Sequence, residues 1–121
     1  MTNYLKKTEK ILADLIAFPT ITGTSNSALI SYVKEYLQKF DIEVALDSHP
    51  DGKRFNLIAI IGSKKKDSIL LSAHTDVVPP QQLGWSSNPF KLKKNERAPL
   101  WQRSTGYERI YCIDTCIRSN I

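Results

Sequence analysis

The chain has 121 residues, of which 41% are hydrophobic and 24% charged, and its formal net charge is +5. This length suits one modest domain or part of a larger one, and no apolar run approaches the ~20 residues that span a bilayer. The N-terminus enters an amphipathic pattern instead of an uninterrupted apolar segment, so we expect no secretory signal, no membrane partner and a cytoplasmic location.

The positive charge gives little reason to expect a nucleic-acid partner. Lysines cluster at residues 64–66 and 91–94. No aromatic stacking surface and no helix-turn-helix pattern accompanies them. The first cluster falls in a predicted turn, where a run of charge is most often a solvated tip. We therefore expect the chain to bind no nucleic acid.

Two amphipathic helices are predicted in the first part of the chain. Apolar side chains recur at helical spacing from about residue 2 to residue 17, and Pro19 ends this pattern because the residue before a proline avoids the helical region. After a polar loop, a second stripe runs to about Phe40. Asn26 or Ser27 is expected to cap the start of this second helix.

Three strands are predicted after the helices. Apolar and polar residues alternate over residues 42–46, as in a half-exposed strand. His-Pro-Asp-Gly at residues 49–52 predicts a turn, and residues 55–61 and 68–72 predict two more strongly apolar strands. The apolar and small residues before His74 suit a central strand covered on both faces. Two helices followed by three strands indicate an α/β sandwich that opens with its helices.

The last predicted strand delivers His74 and Asp76, two residues apart, at its C-terminal end. Residues at i and i+2 of an extended segment share a face, and the crevice beyond such strand ends holds ligands in open α/β sheets. Both residues could bind a metal ion, or His74 could bind one while Asp76 holds the proton on its other ring nitrogen. The pair alone favours a third interpretation, a histidine satisfied by a carboxylate without metal, because catalytic zinc needs three protein ligands. His49, in the predicted turn, is interpreted as exposed and non-catalytic.

Three blocks of the sequence resemble the opening of the M20 metallohydrolases. They are residues 15–20 (Leu-Ile-Ala-Phe-Pro-Thr) followed by Ser25-Asn26, residues 72–79 (Ser-Ala-His-Thr-Asp-Val-Val-Pro) and residues 85–90 (Trp-Ser-Ser-Asn-Pro-Phe). The order and spacing of the blocks are jointly specific, and the resemblance runs from about Asn3 to Glu96. Within the family, the blocks are most similar to the acetylornithine deacetylases.

This resemblance implies that residues 1–96 are the N-terminal, incomplete part of a zinc-peptidase-like α/β sandwich catalytic domain. It implies hydrolysis of N-acetylornithine, a small N-acyl amino acid, in arginine biosynthesis. Related family members that act on succinyl-diaminopimelate or peptides are the alternative. By the same resemblance, His74 is a metal ligand and Asp76 is the active-site aspartate that supports it. Complete family members hold two zinc (or cobalt) ions and form homodimers.

The resemblance stops after Glu96, and residues 97–121 form an atypical tail without helical or strand periodicity. The family continues with a Gly-x-Gly-x-x-Asp-Met-Lys-Gly block and a Glu-Glu pair that complete the metal site, and neither is present in this sequence. We therefore expect the chain alone to be inactive, a non-catalytic truncated fragment. Cys112 and Cys116 in the tail are a weak zinc pattern and are interpreted as unpaired thiols.

A one-nucleotide shift of the reading frame would account for the tail, which we interpret as out of frame or disordered. Back-translated with permitted codons and read one nucleotide later, residues 99–111 become Leu-Tyr-Gly-Lys-Gly-Ala-Arg-Asp-Met-Lys-Gly-Phe, which matches the missing block. We expect sequencing of the gene to show a single-base insertion or deletion near the codon for Arg97. Codons that exclude Asp-Met-Lys-Gly from the adjacent frame would contradict this prediction.

Overall fold

The computed structural model describes residues 3–62, 69–82 and 87–92. The elements are α1 (Asn3–Ile16), α2 (Ser27–Gln38), β1 (Glu43–Ser48), β2 (Phe55–Ile60) and a short 3-10 helix (Pro80–Gln82). Both predicted helices and the first two predicted strands are therefore confirmed. None of the helices in these ranges has the length and apolarity that crossing a membrane requires.

The buried apolar side chains of the described residues come from the two helices. They are Leu12 and Ile16 of α1 and Leu29 and Ile30 of α2. At the rim, the Tyr32 hydroxyl donates to the Asp14 carboxylate at 2.9 Å, and the Tyr32 ring packs against Phe18 with ring centroids 5.6 Å apart. The four buried aliphatic residues belong to the apolar stripes that predicted the helices. The core is small, so polar contacts between loops contribute an important share of the tertiary order.

Strands β1 and β2 form an antiparallel hairpin in which Glu43 pairs with Ile60 and Ser48 pairs with Phe55. The predicted His-Pro-Asp-Gly turn connects them. Gly52 in this turn has a φ of 66°, a left-handed conformation that glycine adopts without a steric penalty. The turn composition therefore identified the hairpin connection correctly.

The hairpin has one covered face and one open face. Along β2, half-buried Leu57 and Ala59 alternate with exposed Ile58 and Ile60. Helix α2 contacts both strands. Since alternate residues of a strand point to opposite faces, the face with Leu57 and Ala59 lies under α2, and the face with Ile58 and Ile60 remains uncovered in the described part of the chain.

The prediction of a third, buried strand is wrong over the residues that the structure describes. Residues 69–72 form no strand, and the side chains of Ile69 and Leu70 are 89% and 88% exposed. A central strand requires hydrogen-bonded neighbours on its edges and apolar layers on its faces, and the described residues provide neither for this segment. The chain thus has the predicted mixed α/β character, and its sheet in the described ranges is the two-stranded hairpin. The predicted tail at residues 97–121 lies outside the described residues.

A parallel bridge joins the loop after α1 to the segment that contains the His-x-Asp pair. Ile21 pairs with Val77. The Val77 N–H donates to the Thr20 carbonyl at 3.0 Å, and the Thr22 N–H donates to the Val77 carbonyl at 2.8 Å. Thr20 is 4% exposed, and its hydroxyl donates to the Thr75 carbonyl. These bonds hold residues 75–77 against the early part of the chain.

We expect Thr20→Val to lower the free energy of unfolding by about 1–3 kcal/mol, the usual cost of leaving a buried polar group unpaired. Valine keeps the shape of threonine but removes the hydroxyl that bonds to the Thr75 carbonyl. Urea unfolding followed by circular dichroism measures the change. Thr24→Val is the matched control, because the exposed Thr24 hydroxyl reaches only the nearby Ile21 carbonyl. Equal losses in the two variants would contradict the assigned role of Thr20.

Candidate functional site

His74 and Asp76 lie in direct contact, as their spacing predicted. The His74 Nδ1 atom is 3.1 Å from Asp76 Oδ1 and 3.0 Å from the Asp76 backbone carbonyl oxygen. Carboxylate and carbonyl oxygens only accept hydrogen bonds, so the ring hydrogen must be on Nδ1 in the neutral imidazole. Nε2 then carries the lone pair that a metal ion would use. Both side chains are 55% exposed, so solvent reaches the pair.

Thr22 holds the Asp76 carboxylate in place from the other side. Its hydroxyl donates to Asp76 Oδ2 at 2.9 Å and lies 3.2 Å from the Val77 carbonyl oxygen. The two carboxylate oxygens are thus divided between Thr22 and His74. The pKa of Asp76 lies below its ordinary value, chiefly because of the Thr22 hydrogen bond and further because of His74, while partial burial opposes the shift. Asp76 is therefore an anion at neutral pH.

Asn26 connects the hairpin to the same segment. Its side-chain Nδ2 donates to the Phe55 carbonyl at 2.9 Å, and its Oδ1 accepts from the Phe55 N–H at 2.8 Å. Nδ2 also lies 3.4 Å from Thr75 Oγ1. Asn26, one of the two residues expected to cap α2, occupies its N-cap position, but its side chain forms no capping hydrogen bond. Its amide instead pairs with both polar groups of one β2 residue, as a neighbouring peptide group would.

The sequence pattern predicts the pair of His74 and Asp76 but gives no positioning role to Thr22 or Asn26. Thr22 received no role, and Asn26 was assigned to a helix cap. Both residues occur in a polar loop, where threonine and asparagine are common for local reasons. The residues that carry the family resemblance include Asn26 but not Thr22, so the sequence held a signal for Asn26 and none for Thr22.

The pair of His74 and Asp76 has features that a metal-binding histidine requires. His74 has the orientation of a metal-ligating histidine, with its second ring nitrogen bonded to a carboxylate. Within the described ranges, no group of three or more His, Cys, Asp or Glu side chains could hold a metal ion. Three protein ligands are usual for catalytic zinc, so these residues alone do not form a complete site.

His49 is exposed, as predicted, and bonds within its own turn. Its Nδ1 lies 3.1 Å from Asp51 Oδ2 and 3.1 Å from Arg54 Nη2. Asp51 also accepts from Arg54 Nε at 2.7 Å and from backbone N–H groups of the turn. The backbone hydrogen bond from Lys53 is the largest cause that lowers the pKa of Asp51. This cluster stabilises the hairpin connection, and the non-catalytic role of His49 stays a prediction.

We expect Thr22→Val to raise the pKa of Asp76 towards its ordinary value, because the hydrogen bond that is the largest cause of the lowered pKa is lost. Because the pKa of Asp76 is lower in the folded state, its ionisation stabilises the fold at pH values above the unfolded-state pKa. This contribution is lost as the pH falls through the folded-state pKa. Titration of the Asp76 carboxyl carbon by NMR measures the change. Thr24→Val, whose hydroxyl bonds to Ile21, is the control and should leave the Asp76 titration unchanged. An unchanged pKa in Thr22→Val would contradict the assigned hydrogen bond.

No family model matches the chain. No solved structure matches it either. Among curated proteins, the acetylornithine deacetylase of Buchnera aphidicola subsp. Schizaphis graminum is 34% identical over 95 residues, which cover 73% of this chain and 25% of that protein. The Proteus mirabilis acetylornithine deacetylase is 33% identical over 94 residues, with 72% and 24% covered. The Klebsiella pneumoniae acetylornithine deacetylase is 32% identical over 103 residues, with 79% and 27% covered.

The chain spans about a quarter of the length of these relatives. In these three comparisons the matched region covers 72–79% of the chain, so it includes most of the described residues. The resemblance to acetylornithine deacetylases found in the sequence is confirmed: over most of its length, this chain is similar to a part of these proteins.

Proposed function

We propose that this chain is part of a metal-dependent amide hydrolase that releases acetate from N-acetylornithine, in the cytoplasm and in arginine biosynthesis. The relationship to acetylornithine deacetylases supports the substrate. The observation that carries the proposal is the contact of His74 Nδ1 with Asp76, which reserves Nε2 for a metal ion. Enzymes of the same family that act on succinyl-diaminopimelate or peptides are the alternative.

His74 acts as a metal ligand in this proposal. Its Nδ1–H donates to Asp76, so the ring is held in the tautomer that has its lone pair on Nε2. When bound, zinc or cobalt would polarise the amide carbonyl and lower the pKa of a bound water. The other ligands belong to the complete protein, which we propose to be a homodimer.

Asp76 is a positioning residue. Its carboxylate accepts from the His74 Nδ1–H and so fixes the orientation of the ring that would present Nε2 to a metal ion. Thr22 in turn prevents the carboxylate from rotating away from His74. Loss of such a supporting carboxylate typically weakens metal affinity by about 10- to 100-fold. The Thr22–Asp76–His74 chain of hydrogen bonds is therefore the unit that we expect to matter for function.

A non-catalytic fragment is the second candidate. It is favoured by the exposed apolar side chains of Ile69 and Leu70, which have no covering layer in the described residues. A protein in this state would lack the ordered surroundings that complete a metal site. Both candidates predict that the purified chain alone is inactive. They differ in whether its residues support activity when they replace the matching part of a complete enzyme.

The test is a chimera in which the aligned segment of the Proteus mirabilis acetylornithine deacetylase is replaced by this chain's matching residues. We expect chelator-sensitive release of ornithine from N-acetylornithine. His74→Ala should lower activity at zinc-limiting concentration by more than the roughly 100-fold that loss of a supporting carboxylate causes. Asp76→Asn should weaken zinc affinity by about 10- to 100-fold and be partly rescued by added zinc.

His49→Ala is the matched control, since it removes the other histidine and should leave activity intact. The purified chain alone is the second control and should release no ornithine above background. Full activity and zinc content in the His74→Ala chimera would refute the ligand role. If the zinc-loaded chimera hydrolyses succinyl-diaminopimelate or a dipeptide but not N-acetylornithine, the proposed substrate is wrong and the alternative replaces it.

A further inference from the structure

The Asn26 side chain uses all of its hydrogen-bonding groups between two distant parts of the chain. A side-chain amide has one acceptor oxygen and two N–H donors. Oδ1 accepts from the Phe55 N–H at 2.8 Å, and Nδ2 donates to the Phe55 carbonyl at 2.9 Å. One N–H of Nδ2 remains, and Nδ2 lies 3.4 Å from Thr75 Oγ1. Because the two bonds to Phe55 fix the plane of the amide, the direction of the remaining N–H is fixed as well.

Thr75 is the middle residue of the His-x-Asp segment, and its side chain lies on the side opposite to its two neighbours. His74 and Asp76 share one face of the extended segment, so Thr75 belongs to the other face. Its hydroxyl contacts Asn26 there, and its backbone carbonyl accepts from the Thr20 hydroxyl. Asn26 therefore holds the segment from the side opposite to the face that His74 and Asp76 share.

We propose that Asn26 is a positioning residue for the candidate metal ligand His74 and acts on it through Thr75. The His74 and Asp76 side chains are each 55% exposed, and an exposed pair of this kind adds little stability by itself. Their contact depends on a backbone that keeps both side chains on one face. The partly buried Asn26 amide supplies that constraint and ties it to the first residue of β2. The proposal rests on the proposed function for the role of the metal alone, since the orientation of the ring is measured without one.

The tautomer of His74 in the full chain, without metal, is the primary measurement. The chain contains two histidines, so labelling with nitrogen-15 histidine gives two imidazole spectra, and His49→Gln identifies those of His49. At a pH above the ordinary histidine pKa of about 6.5, the spectra show which ring nitrogen carries the hydrogen. We expect His74 to carry it on Nδ1, and the share of the Nε2–H form to rise several-fold in Asn26→Ala.

Thr75→Val tests the other end of the same link. Valine keeps the shape of threonine and the backbone carbonyl that bonds to Thr20, but it cannot accept from Asn26. We expect Thr75→Val to shift the His74 tautomer in the same direction, and the double variant to resemble Asn26→Ala, because both substitutions break one interaction. Thr75→Ser keeps the hydroxyl and should keep the Nδ1–H form.

Ser25→Ala is the matched control, because it removes another hydrogen bond between the same loop and the hairpin. The Ser25 hydroxyl donates to the Lys53 carbonyl at 2.8 Å, and in the described part of the chain it bonds to none of residues 74–76. This variant should leave the His74 tautomer unchanged. Equal shifts in Ser25→Ala and Asn26→Ala would assign the effect to a general loosening of the loop and overturn the proposal. An unchanged tautomer in Asn26→Ala would overturn it as well.

Zinc binding by the chimera with the Proteus mirabilis enzyme measures the consequence for the metal. Asn26→Ala should weaken zinc affinity by about 3- to 10-fold, which is less than the effect of about 10- to 100-fold for a carboxylate bonded directly to the ring. A shifted tautomer with unchanged zinc affinity would support the positioning role of Asn26 and count against the proposed ligand role of His74. The failure of the proposed function is thus distinguished from the failure of this proposal.

Discussion

The loop between α1 and α2 controls the geometry of the candidate site, through hydrogen bonds to distant parts of the chain. Thr20 and Thr22 bond to residues that lie 55 and 54 positions away in the sequence. Asn26 joins the same loop to the first residue of β2. The parallel bridge between Ile21 and Val77 is two backbone bonds long, so it has little strength by itself. The side chains of Thr20, Thr22 and Asn26 add further polar contacts to residues 75–77, and we call this set of contacts the clamp.

This clamp matters because the apolar core is small. In the described part of the chain, four buried aliphatic side chains on two helices provide only part of the burial that stabilises an ordinary domain. Among the residues that the structure describes, the hairpin adds one face that is covered by α2 and one face that is exposed. The hydrogen bonds of Thr20 and Thr22 therefore determine where residues 75–77 lie, because breaking a partly buried hydrogen bond costs free energy. The same reasoning explains why the segment before His74 is exposed while the segment after it is fixed.

The site shows how an exposed pair can nevertheless be well oriented. His74 and Asp76 are each more than half exposed, and an isolated surface pair of this kind is worth little. Here the carboxylate is fixed by the Thr22 hydroxyl, and the imidazole contacts both the side chain and the backbone carbonyl of Asp76. The two contacts of Nδ1 with acceptor oxygens thus define one tautomer, and the Thr22 hydrogen bond orients the carboxylate. A metal ligand needs this property, whatever partners complete its coordination.

The amino-acid sequence by itself determined the local elements of this protein. The apolar stripes of α1 and α2, the alternation in β1 and the His-Pro-Asp-Gly turn encode structure within a few residues, and all were predicted correctly. The contact between His74 and Asp76 also follows from local geometry, because residues two apart in an extended segment share a face. The tertiary structure alone decided the partners of Asn26 and Thr22 and the exposure of residues 69–72. Each of these depends on groups that are distant in the chain, and an apolar run is buried only where another layer is present to cover it.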